Sequence, residues 1–113
     1  MSIDQTNVVD SIGIEPNKDE AQLIISDHLE WDQSEKADRE HMYLLQEKIN
    51  SYLGFVESGE IYKSHPKSKG KKVVIRVIGK YDMNSTGKSF FHRVEETLFA
   101  SGYVITFERL RVS

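Results

Sequence analysis

The stretch DQSEKADREHMYLLQEKINSYLGFVESG, residues 32–59, decides the fold class. Met42, Leu45, Ile49, Tyr52, Leu53 and Val56 recur at three- and four-residue steps, laying one apolar stripe along a helix over 33–58. Asp32 and Glu35 have the spacing of a capping box, in which the aspartate takes a free first-turn N–H and the glutamate reaches back. Asp32–Lys36 and Glu35–Arg39 set acid before base at i,i+4, each pair worth about 0.3 kcal/mol. Gly59 is placed to end the helix, because glycine enters the left-handed conformation without a Cβ penalty. At ~1.5 Å per residue such a helix runs roughly 39 Å, long for a chain of 113 residues. A bend, or a later start near Asp38, is the alternative.

Upstream, Val8 to Ile14 alternates loosely, Pro16-Asn17-Lys18-Asp19 carries turn chemistry, and Gln22 to Leu29 resumes as a strand. The reading is a β-hairpin. Downstream, residues 60–71 form a basic connection, and Val73 to Lys80 is a strand whose apolar weight suits the sheet interior. Asn84-Ser85-Thr86 offers a second helix cap, Phe90, Phe91, Val94 and Leu98 give a second stripe, and Gly102 closes it. Tyr103 to Arg109 alternates as a last strand, with Tyr103, Ile105 and Phe107 inward. The expected fold is therefore an α+β, two-layer ββαβαβ domain: a four-stranded mixed sheet with two helices on one face. Strand order does not follow. One domain spans 1–113, with the polar residues 1–7 expected to be disordered.

With 38% hydrophobic and 29% charged residues, the composition is that of a globular chain. The absence of Cys excludes disulfides, thiolate zinc sites and Cys nucleophiles. Apolar runs such as Val73-Val74-Ile75 fall far short of the roughly 20 residues of a membrane span. No basic-then-apolar signal segment opens the sequence, so the expected compartment is the cytoplasm. The net charge of −3 conceals an asymmetry. Residues 1–60 hold 14 acids and 4 bases, whereas 61–113 hold 4 acids and 11 bases.

Gly87-Lys88-Ser89 has the ending of a phosphate-binding loop, but the glycine required five residues earlier is Asp82. A helix N-terminus is the better reading. His28, His41, His65 and His92 show no His-x-x-x-His spacing and read as scattered structural or surface histidines; no metal and no cofactor is expected. Asp10 and Asp27 fall on neighbouring hairpin strands and could form a carboxylate pair for acid–base work. A solvated sheet rim or a capping role is the plainer account of both. Lys63, Lys67, Lys69, Lys71 and Lys72 could meet phosphates, but no aromatic platform interleaves with them.

The run Asp27-His28-Leu29-Glu30-Trp31, and then His41 to Ile61 (HMYLLQEKINSYLGFVESGEI), resembles a family of small bacterial proteins of uncharacterised function. The resemblance spans Val8 to Phe107 and implies a compact single domain. It brings no catalytic residues.

The leading expectation is a non-enzymatic protein-binding module, most concretely a bacterial immunity protein that neutralises a basic nuclease toxin. Its acidic half would supply the face, with Glu30, Trp31, Asp32, Asp38 and Glu40 as contact residues; Trp31 packed against the first helical turn as core edge, with Asp32 as cap, is the plainer account of those two. The alternatives are a nucleic-acid-associated regulator using the 63–72 lysines, or a small enzyme using Asp10 and Asp27. Oligomeric state is open.

Overall fold

The computed structural model describes residues 11–15 and 19–110. The elements are β1 (Ser11–Glu15), β2 (Glu20–Asp27), α1 (Glu35–Glu57), α2 (Glu60–Ser64), a 3₁₀ turn (Pro66–Ser68), β3 (Lys72–Gly79), α3 (Ser85–Ala100) and β4 (Val104–Arg109). In the sheet they run β1-β2-β3-β4. β2, β3 and β4 are mutually parallel, and β1 is laid antiparallel against β2. The 1–7 segment and Asp10 lie outside the described residues, as does most of the 16–19 turn.

The expected ββαβαβ fold with a four-stranded mixed sheet and two helices is corrected. The mixed character is confined to the edge strand β1, while β2, β3 and β4, the strands joined through helices, are all parallel, and among the described residues there are three helices rather than two. The added helix, α2, arises within the supposed basic connection. Gly59 turns the chain at φ +83°, and a single apolar residue, Ile61, is driven fully into the core while its neighbours stay wet. One buried side chain in five residues gives no readable period.

The start of α1 is corrected too. Ser34, not Asp32, is the N-cap, its hydroxyl accepting from the Ala37 N–H at 3.0 Å. Asp32 has a left-handed backbone, φ +67°, which a short polar side chain tolerates better than most.

Alternation does the rest. Ala21, Leu23 and Ile25 of β2, Val73, Ile75 and Val77 of β3, and Ile105 of β4 are buried on one face of the sheet. Against them pack Leu45, Ile49, Tyr52 and Val56 of α1, Ile61 of α2, and Phe91, Val94 and Leu98 of α3. Tyr52 is fully buried, and its hydroxyl donates to the Ile24 carbonyl, tying α1 to β2. On the other face Arg76 spans three strands, donating to Gln22 at 3.0 Å and to the Glu108 carboxylate. No helix among the described residues is long and apolar enough to cross a membrane.

At the end of β3, Gly79 is where the sheet admits the Phe107 ring. A Cβ there would sit 2.7 Å from Phe107 Cε2 and 3.2 Å from the Tyr81 carbonyl. Gly79→Ala is therefore expected to lower stability by about 1–3 kcal/mol, the usual cost of overpacking, as read by urea denaturation. An unchanged midpoint would mean that the ring moves aside freely.

Candidate functional site

The carboxyl ends of parallel strands are where open sheets most often place their chemistry, since the connections to the helices converge there. Here β2 ends on Asp27, and the chain passes through residues 28–34 into α1. Asp27 follows Leu23 and Ile25 in inward parity, so its carboxylate enters the core side of the sheet and is 4% exposed. His41, on the buried stripe of α1 and 2% exposed, donates from Nε2 to both oxygens at 2.6 and 2.8 Å. The Leu29 N–H gives Asp27 a third bond at 3.1 Å. Trp31 closes the pair from above, its ring stacked on His41 with centroids 3.8 Å apart and planes at 24°. The other imidazole nitrogen, Nδ1, is buried with no partner among the described residues.

A second polar cluster holds the same loop from the other side. Asp38, buried on α1, accepts from the Asp32 N–H at 3.0 Å and from Asn84 Nδ2 at 2.9 Å. The Asn84 amide also donates to the Asp32 carboxylate at 2.6 Å, while its carbonyl oxygen caps α3 by accepting from the Gly87 N–H at 2.8 Å. One side chain thus joins the β2–α1 loop, the first turn of α1 and the start of α3. Gly87 completes the fit: a Cβ there would lie 3.1 Å from three atoms of the Trp31 ring. The phosphate-loop reading ends here, because Gly87 is buried under Trp31 and Asn84 occupies its N–H.

These contacts divide the five residues expected to meet a partner. Glu30, Asp32 and Glu40 are exposed; Trp31 and Asp38 are corrected to interior positions. Trp31 fills the space between His41 and Gly87, and Asp38 anchors the loop backbone. The outer face of α1 carries an aromatic side chain in their place. Tyr43 is 64% exposed and lies three residues from Glu40 and four from Glu47. Glu30 is braced by Gln33, which donates to its carboxylate.

Asp27 is corrected as well: it is neither a rim residue nor shown beside Asp10, which lies outside the described residues. Its partner is His41. An Asp–His pair is the unit that orients an imidazole for proton transfer, but with His41, Asp27 and Trp31 all below 8% exposure it is sealed. It serves here to fix the loop.

The lysines do not gather into one patch on a regular element. Lys63 lies on α2, Lys67 on the 3₁₀ turn, and Lys69, Lys71 and Lys72 lead into β3, at the opposite end of the sheet from Asp27. Lys71 is paired with Asp19 at 2.5 Å. Among the described residues no group of three His, Cys, Asp or Glu side chains could hold a metal ion.

Sequence reasoning missed His41, Asn84 in its bridging role, and Lys48, which is fully buried on α1 with its ammonium 5.6 Å from the Tyr52 ring centroid. A signal existed. Asp38, His41, Leu45, Lys48, Ile49, Tyr52 and Val56 share the three-and-four spacing of the buried stripe.

A family model described as a family of unknown function (DUF6572) matches residues 1–111. No curated protein and no solved structure matches the chain.

Proposed function

The chain belongs to this family of unknown function, DUF6572, and, since membership carries no activity with it, we propose from the geometry that it is a non-enzymatic protein-binding module with an acidic docking face. The face comprises the exposed carboxylates of Glu30 and Asp32 on the loop, and of Glu40 on α1, with Tyr43 as its aromatic anchor. The observation that carries the reading is Tyr43 at 64% exposure between Glu40 and Glu47. An aromatic ring left in water among carboxylates has the composition of an interface centre awaiting a basic surface. The two buried clusters support it by holding the loop in one shape, so little ordering entropy is lost on docking.

The concrete form of the proposal is a bacterial immunity protein that covers the phosphate-binding surface of a basic nuclease toxin. Complementary charge would speed the encounter and mask the groups that the nuclease needs for nucleic acid.

Tagged protein should retain a stoichiometric basic protein from lysate of the source cells. Glu30→Lys, Glu40→Lys and Tyr43→Ala together should then weaken binding to the purified partner roughly 100-fold, with much of the change in the association rate at low salt. All three side chains are exposed, so the fold should tolerate the changes. Binding that ignores all three substitutions overturns the assignment of this face. Recovery of nucleic acid, released steeply by salt, would favour the 63–72 lysines instead.

A further inference from the structure

β4 is the last strand in the sheet order, so among the described residues one of its edges has no strand beside it. Along that edge a groove of about 390 Å³ opens between α3 and β4, lined by Glu95, Glu96, Phe99, Tyr103, Val104 and Ile105. Phe99 is 74% exposed on its rim. We propose that this edge and the adjoining flank of α3 join two copies of the chain in a symmetric dimer, as one continuous sheet with helices on one side.

Charge selects the occupant. Lys88, His92, Glu95, Glu96 and Phe99 recur on α3 at three- and four-residue steps, so one flank runs from basic to acidic to apolar. A two-fold axis normal to the sheet makes the two β4 strands antiparallel and sets the two α3 helices antiparallel above them. Lys88 of each copy then faces Glu96 of the other, both His92 side chains lie near the axis, and each Phe99 covers the other helix's first turns. Within one copy His92 already faces Glu96 at 2.7 Å and Glu95 at 3.8 Å, so a basic peptide in the groove would compete with His92 for those carboxylates and would meet Lys88 as a like charge. A second copy answers both signs.

Sedimentation equilibrium of the full chain across micromolar concentrations tests this. The expected result is a reversible monomer–dimer system, with Phe99→Ala and Lys88→Glu each raising the dissociation constant about tenfold or more. Lys88→Glu combined with Glu96→Lys should return it to within roughly threefold of the parent, which general loss of stability would not do. Lys88, Glu96 and Phe99 are all exposed, so each variant should keep the parent's circular dichroism. A chain that stays monomeric throughout, or a dimer indifferent to Phe99→Ala and Lys88→Glu, overturns the proposal.

Discussion

Asp27→Ala is expected to lower folding stability by about 3–5 kcal/mol, the cost of leaving one member of a buried pair without its partner. The carboxylate accepts two contacts from His41 and one from the Leu29 N–H in a space closed by Trp31. Removing it strands a buried imidazole whose other nitrogen already has no partner among the described residues, and frees the first turn of the loop. For a chain of 113 residues the loss corresponds to roughly 10–20 °C in Tm. Urea denaturation followed through Trp31, the only Trp, reports on the site directly, because its ring lies on His41. A loss under about 1 kcal/mol would mean that the pair contributes nothing beyond its packing. Asp27→Leu combined with His41→Met is expected to cost less than Asp27→Ala alone, since it removes both buried polar partners and retains apolar volume. The same comparison bears on function. If the pair exists to hold Glu30 and Asp32 in place, the apolar double variant should recover stability and partner binding together.

The long helix was legible because its apolar stripe repeats over about four turns, and β3 because it is apolar on both faces. What escaped is the polar content of the same patterns. Asp27 continues the inward parity of Leu23 and Ile25, and His41 and Asp38 continue the α1 stripe one and two turns back from Leu45. Spacing therefore marked all three as interior, whereas residue type argued for the surface. Periodicity was the stronger guide, because a polar side chain at a buried position is tolerated when it finds a partner, as Asp27 and His41 find each other and Asp38 finds Asn84 and the Asp32 N–H. Which partner it finds was not legible: His41 lies 14 residues from Asp27 and Asn84 lies 46 from Asp38, distances that only the crossovers close. Trp31 packs inside, as the plainer of its two readings had it, and was named a contact residue for a related reason. Its neighbours in sequence are carboxylates, but its neighbours in space are an imidazole and the bare backbone of Gly87.

Asn84→Asp separates the two duties of that side chain. Aspartate is as good an N-cap as asparagine and suits the helix dipole, so if capping were its whole role the change would be neutral or slightly stabilising. Asn84, however, also donates to Asp32 and Asp38, and Asp38 is buried. The substitution replaces that donor with a third carboxylate facing two others, removing two charge-assisted bonds and adding like-charge repulsion. We expect a loss of about 2–4 kcal/mol at neutral pH by urea denaturation. The deficit should shrink in acid, where a proton on the new carboxyl lets it donate again. Asn84→Ser keeps a capping oxygen but cannot reach both carboxylates, so it should fall between the parent and Asn84→Asp. Were Asn84→Asp to match the parent at neutral pH, the link from α3 to the loop would be incidental, and Glu30 and Asp32 would owe their positions to the Asp27–His41 pair alone.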